Sequence, residues 1–126
     1  MNIIPDSVLE GYIREDAVLV ALRVIREYID KLPDYQGRSF KRGYMKAYGV
    51  LPVGSAEAKR PYDFAVNLYS IKCYIRKPGL ALLGPVGKQR VLSAFPEADI
   101  LNGELRVVIK TADDAEDLLR CLFERK

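Results

Sequence analysis

Apolar residues recur at intervals of three and four positions over the first part of the chain, which predicts an amphipathic helix near the N-terminus. Just upstream, Ser7 and Glu10 have the spacing of a helix capping box, and Pro5 precedes them. Pro33 is expected to end the helix, because proline lacks the N–H that a helix interior needs. The predicted apolar face consists of Val18, Leu22, Ile25, Ile29 and Leu32.

Residues 34–61 show no clear period and contain several glycines and prolines. We therefore predict a long loop, with a short helix possible between Arg38 and Met45. Long loops in compact domains are usually functional or mobile, so this segment is a candidate functional region.

From Tyr62 onward apolar and polar residues alternate, which is typical of a half-buried strand. The dipeptide Pro78-Gly79 then fits the middle of a type II turn, so residues 80–83 are predicted to return as a second strand. Residues 88–95 follow a break rich in glycine and proline and are predicted to form a short helix.

The C-terminal part carries a strong hairpin signal at Asn102-Gly103, between predicted strands at residues 99–101 and 104–110. Thr111 is expected to cap the helix that follows. Acidic residues crowd the first turns of that helix, where they stabilise the positive end of its dipole. Its predicted core face consists of Leu118, Leu119, Leu122 and Phe123.

These elements predict a single small α+β domain covering residues 1–126. In it, an antiparallel sheet of about four strands is covered by the N- and C-terminal helices. The chain is long enough to bury a hydrophobic core without a metal or a disulfide, and no cofactor is expected.

The composition of the chain excludes several kinds of catalytic and metal-binding site. The chain has no histidine, which excludes Ser-His-Asp and Cys-His catalysis and His-ligated zinc. Its two cysteines, Cys73 and Cys121, lie far apart and form no CxxC pair, so they suit a reducing compartment.

The N-terminus lacks a signal-peptide pattern, and the longest apolar run, Ala17–Leu22, is too short to cross a bilayer. We predict a cytoplasmic protein without a membrane partner and leave homo-oligomers open.

Charge is strongly segregated along the chain. Residues 35–96 carry 11 basic and 2 acidic side chains, whereas residues 1–34 and 97–126 each carry a net charge of −3. Six of the eight tyrosines also lie in the middle segment. Basic groups attract phosphates and aromatic rings can stack on bases, so we predict a non-enzymatic module that binds nucleic acid or another polyanion. The candidate residues are Arg38, Lys41, Arg42, Lys46, Lys59, Arg60, Tyr44, Tyr48 and Lys88. Alternatively, these charges pair with the acidic helices across the fold.

A second hypothesis is a metal-binding protein or a degenerate metal-dependent nuclease. Asp63 at a strand start and Lys72 nine residues later match part of a nuclease pattern, but Ser70 stands where the second carboxylate is needed. Carboxylates of the first helix, Glu10, Glu15 or Glu27, would then have to complete the site.

A third candidate is the segment Gly84–Lys88, predicted to follow a strand and open a helix, where backbone N–H groups can hold a phosphate. It departs from a Walker A loop, because Leu82 precedes it where a glycine is required and Gln89 follows where Ser or Thr binds magnesium.

Several segments resemble one known family in their order. Tyr48–Pro52 stands where that family has a Tyr-Gly-x-Pro-like loop, with one extra residue before the proline. Val91–Phe95 resembles its short helix, Gly103–Arg106 its strand start and Asp117–Leu119 its last helix. Together, over roughly residues 18–124, they resemble the YdhG-like family of small bacterial domains, most of unknown function. The resemblance implies a frataxin-like α+β fold, and it implies iron binding because some members are proposed iron chaperones.

Overall fold

Seven β-strands and four α-helices are formed within residues 2–124, the part of the chain that the computed structural model describes. The strands are β1 (Asn2–Ile3), β2 (Tyr35–Arg42), β3 (Met45–Pro52), β4 (Tyr62–Val66), β5 (Ile71–Ile75), β6 (Asp99–Leu101) and β7 (Glu104–Ile109). The helices are α1 (Asp6–Tyr12), α2 (Asp16–Asp30), α3 (Lys77–Ala94) and α4 (Ala112–Phe123), and a 3-10 turn spans Glu57–Lys59.

The strands form one sheet in the order β1-β2-β3-β4-β5-β7-β6, and each neighbouring pair is antiparallel. The predicted α+β class with an antiparallel sheet is confirmed. The sheet has seven strands within residues 2–124, against the predicted four or so. The difference arises because the segment predicted to be a loop supplies two long strands and β1 adds a third.

All four helices contribute buried residues to one core against the same side of the sheet, here called the helix face. Leu9 of α1, Ile25 of α2, Val91 of α3 and Leu118 of α4 are fully buried in it. The opposite side, here called the open face, carries a small separate cluster of Phe40, Ala47 and Ala65. The two sides therefore differ, since one holds the main core with the four α-helices and the other holds the small cluster.

The predicted short helix between Arg38 and Met45 is wrong, because β2 and β3 form a hairpin there. Gly43 lies in its turn with a φ of 59°, a left-handed conformation that suits glycine. Periodicity failed here because residues 47–51 of β3 are all buried, on both faces of the sheet, so apolar and polar residues do not alternate.

The predicted single strand from Tyr62 is two strands, β4 and β5, joined by a tight turn in which the Asn67 N–H donates to the Ser70 carbonyl at 2.9 Å. The predicted turn at Pro78-Gly79 and return strand at residues 80–83 are wrong, because these residues form the first half of α3. Proline suits the first turn of a helix as well as a β-turn, so local chemistry did not separate the two.

Other local signals correspond closely to the structure. Asn102-Gly103 forms the β6–β7 turn, with φ values of 53° and 77°. The Thr111 hydroxyl accepts from the Asp114 N–H at 3.1 Å and caps α4 as predicted. The capping box at Ser7 is wrong, because Pro5 occupies the cap position of α1 and makes no side-chain capping hydrogen bond.

None of the helices within residues 2–124 is long and apolar enough to cross a membrane.

Candidate nucleic-acid interface

One end of the sheet gathers two turns from neighbouring hairpins. Lys46 of β3 pairs with Val66 of β4, and Val66 pairs with Ile71 of β5. Because these strands are antiparallel, the β2–β3 turn and the β4–β5 turn project from the same end of the sheet. Ile71 also pairs with Ile109, the last residue of β7, which brings Lys110 to this end. We call this region the hairpin end.

The junction between α1 and α2 packs against the hairpin end. The Arg14 N–H donates to the carbonyl of Leu68 in the β4–β5 turn at 2.8 Å. The Lys46 ammonium lies 4.4 Å from the centre of the Tyr12 ring, a cation–π contact. A helix junction remote in sequence thus adds Arg14 and Tyr12 beside the two turns.

Two tyrosines at the hairpin end are largely exposed. Tyr44, in the β2–β3 turn, is fully exposed at 101%, and Tyr69, in the β4–β5 turn, is 60% exposed. The two turns are separated by about two strand spacings, or roughly 10 Å. Residues at hairpin tips are often exposed without a function, so these rings alone do not define a site.

The cations around these tyrosines lack carboxylate partners within residues 2–124. Glu15 and Asp16, which directly follow Arg14 in the chain, are the acids of the α1–α2 junction. Within residues 2–124, the cations of this region that form no ion pair include Arg14, Lys41, Arg42, Lys46 and Lys110.

Four of the nine residues predicted from the sequence come together at the hairpin end, namely Lys41, Arg42, Tyr44 and Lys46. Directly paired residues of an antiparallel hairpin point to the same side of the sheet, so Lys41 and Lys46 lie on the helix-face side and Arg42 on the open-face side. The turn therefore presents cations on both sides of Tyr44.

Three other predicted residues lie elsewhere on the molecule. Arg38 donates to the Glu57 carboxylate at 2.7 Å, which neutralises it. Lys59 is exposed on the 3-10 turn between β3 and β4, at the opposite end of the sheet. Lys88 lies on α3, in the helix layer. The structure does not bring these residues to the hairpin end.

Arg60 is buried on the open face, where it forms an ion pair with Asp63. Its guanidinium donates to both carboxylate oxygens, at 2.6 and 3.0 Å, and lies 4.7 Å from the centre of the Phe40 ring. The hydrogen bonds that Arg60 donates to the Asp63 carboxylate raise the pKa of Arg60. This side chain is 6% exposed and serves the packing of the open face.

Tyr48 is 3% exposed and belongs to the main core. Its ring fills the space beside Gly37, where any side chain would collide with it. Burial raises the pKa of the Tyr48 hydroxyl to about 12. Tyr48 therefore presents no ring to a partner.

The carboxylates invoked for a metal site are separated by the sheet. Asp63 points to the open face, while Glu10, Glu15 and Glu27 belong to the helix layer on the other side. Glu10 accepts hydrogen bonds from Arg26 and Arg23, at 2.6 and 3.0 Å, which lower its pKa. Within residues 2–124, no group of three or more His, Cys, Asp or Glu side chains is arranged to hold a metal ion.

The segment Gly84–Lys88 does not join a strand to a helix, which corrects the premise of a phosphate loop there. It lies inside α3, where Gly84 has a φ of 66° and kinks the helix. The two cysteines are buried, and desolvation raises the pKa of each thiol.

Sequence reasoning missed Arg14, Tyr69 and Lys110 at the hairpin end. The one local signal for Tyr69 was the run Asn67–Ser70, whose polar residues favour a turn within an apparent strand. Nothing local links Arg14 to that turn, because the contact spans more than 50 residues of chain.

Comparison with protein-family models, curated proteins and solved structures finds no match for this chain. The resemblance to the YdhG-like family therefore stays a prediction.

Proposed function

We propose that this protein binds single-stranded nucleic acid through its hairpin end, without catalysing a reaction. The proposal is carried by one observation: Tyr44 is fully exposed between cations that have no carboxylate partner within residues 2–124. These cations and the exposed ring are the groups that the proposal assigns to phosphate contacts and to base stacking.

The chemistry of that surface favours an unpaired strand. Lysine and arginine neutralise phosphates in any nucleic acid, whereas an exposed ring adds affinity only where a base offers a free face. In a duplex both faces of each base are stacked, so Tyr44 and Tyr69 would contribute little. A polyanion without bases would use the cations but not the rings.

The test is a fluorescence anisotropy titration of a labelled single-stranded oligonucleotide of about 16 nucleotides at several salt concentrations. We expect affinity to fall linearly on a log–log plot against salt, by about 0.7 in slope for each phosphate neutralised. Lys41→Ala should reduce that slope by about 0.7. Tyr44→Ala should weaken binding about 5- to 100-fold with the slope nearly unchanged, because it removes stacking and no charge.

Lys59→Ala is the matched control, since Lys59 is an exposed lysine of the same basic segment at the opposite end of the sheet. It should bind like the wild type. The proposal fails if the wild type does not bind at about 50 mM salt, a condition that favours phosphate contacts. It also fails if Lys59→Ala weakens binding as much as Lys41→Ala does.

A further inference from the structure

The open face contains a recess of about 340 Å³ that begins at the hairpin end. Arg42 and Met45, the residues that flank the β2–β3 turn, form its near side. Tyr74 of β5 forms a side wall, and Arg76 and Glu104 form its far side. The volume is near the lower limit of small-molecule sites, about 300–1,000 Å³, so it suits a group the size of one nucleotide.

The floor of the recess is rigid and electrically balanced. Asp63 accepts two hydrogen bonds from Arg60, and the Arg60 guanidinium stacks on Phe40. A carboxylate held by a planar guanidinium through two bonds is fixed in position as well as neutralised. The floor thus supplies shape rather than charge.

The charges on the far side of the recess are also paired. Arg76 donates to the backbone carbonyl of Arg60 at 2.9 Å, and its guanidinium lies 3.7 Å from the Glu104 carboxylate. The near side differs, because Arg42 is exposed and makes no ion pair with a carboxylate of residues 2–124. Among the recess residues that the structure describes, Arg42 therefore carries the one charge without an ion pair, at the rim that adjoins the hairpin end.

The wall between rim and floor is apolar. Tyr74 and Met45 are half-buried and pack against the cluster of Phe40, Ala47 and Ala65. A tyrosine ring and a thioether offer a polarisable surface that suits a flat aromatic group. An anion site at the rim beside a flat apolar wall matches the two halves of a nucleotide.

We infer that this recess receives one nucleotide of the bound strand, with its base against Tyr74 and Met45 and its phosphate at Arg42. The inference rests on the proposed function, since Arg42 links the hairpin end to the recess. A guanidinium can hold a phosphate through two parallel hydrogen bonds, and an aromatic wall can hold any base. The strand would then continue from the hairpin end onto the open face.

The experiment uses the fact that the chain has no tryptophan. Tyr74→Trp and Tyr44→Trp each introduce a single indole, one in the recess and one at the tip of the hairpin end. Each variant is titrated with the single-stranded oligonucleotide and with an abasic strand of equal length. We expect the oligonucleotide to quench both indoles, and the abasic strand to leave the Tyr74→Trp fluorescence unchanged.

The two proposals fail in different ways. Binding by anisotropy with quenching in Tyr44→Trp but none in Tyr74→Trp overturns the recess and leaves the hairpin end in place. Equal quenching of Tyr74→Trp by the abasic strand also overturns it, since no base would be involved. Absence of binding to the wild type overturns the proposed function and the recess together.

A second pair of variants covers the case in which tryptophan disturbs the packing around position 74. Tyr74→Phe keeps the ring and should bind like the wild type. Tyr74→Leu removes it and should weaken binding about 5- to 100-fold. Cooperative urea unfolding of both variants confirms that they fold. Wild-type affinity in a folded Tyr74→Leu variant overturns the inference.

Discussion

At the scale of single residues, burial decides which of the basic side chains can meet a partner. Arg60 and Asp63 are 6% and 7% exposed and satisfy one another, so their energetic role is local. Arg38 and Glu57 form a second pair, but its side chains are 38% and 39% exposed. Buried and exposed ion pairs of the same chemistry therefore lie close together on the open face and can be compared directly.

The first prediction concerns that comparison. Asp63→Ala leaves a buried guanidinium without its carboxylate, so we expect the free energy of unfolding to fall by about 3–5 kcal/mol. Glu57→Ala breaks the exposed pair and should cost about 1 kcal/mol or less. Urea denaturation of both variants measures the difference. Equal losses in the two variants would show that the Arg60–Asp63 pair is not buried as described.

At the scale of elements, ion pairs join α1 to α2. Glu10 of α1 accepts from Arg26 and Arg23 of α2, and these bonds lower its pKa from 4.5. A carboxyl group whose pKa is lower in the folded state stabilises the fold above its unfolded pKa. That contribution is lost as the pH falls through the folded pKa.

We therefore predict that Glu10→Gln destabilises the protein at pH 7 by about 1 kcal/mol. The difference from the wild type should vanish at a pH low enough to protonate Glu10 in the folded protein as well. Urea unfolding across an acid pH series checks this. A constant difference at every pH would mean that the substitution acts through packing and not through the charge of Glu10.

The kink in α3 predicts opposite effects on stability for alanine at Gly84 and alanine at Gly11. Gly84 has φ 66° and ψ −179°, a region open almost only to glycine, so Gly84→Ala should cost about 1–3 kcal/mol. Gly11 lies in α1 and has open space where a side chain would stand, so Gly11→Ala should add about 0.5–1 kcal/mol. Thermal unfolding should shift Tm down in the first variant and up in the second. Shifts of the same sign would contradict the kink.

Elements with strong local chemistry could be predicted from the sequence, and elements defined by long-range packing could not. Asn102-Gly103 forms a turn and Thr111 caps a helix through contacts with residues no more than four positions away, and both signals correspond to the structure. The β2–β3 hairpin escaped prediction because both faces of β3 are buried. Likewise, the sequence identified Lys41 and Arg42 as candidate binding residues. Only the folded structure shows that Arg14 lies at the same end of the sheet and that Tyr48 is buried in the core.

At the scale of the whole molecule, most ion pairs of residues 2–124 form within one of the three charge segments of the sequence. The two acids of the basic middle segment, Glu57 and Asp63, pair with Arg38 and Arg60 of the same segment. The ion pairs of α1, α2 and α4 join residues of the helices themselves. Among the ion pairs of residues 2–124, that of Arg76 with Glu104 links the middle segment to a terminal one. Within residues 2–124, the acidic helices therefore form no ion pair with the cations of the hairpin end.

The most direct measurement of the central claim is an amide chemical-shift titration of isotope-labelled protein with the single-stranded oligonucleotide. It locates the partner residue by residue and does not depend on a substitution. We predict that shifts concentrate at residues 41–46 and 67–70, while the amide of Lys59 stays unchanged. Shifts concentrated at residues 57–59, or none at low salt, would contradict the proposed interface.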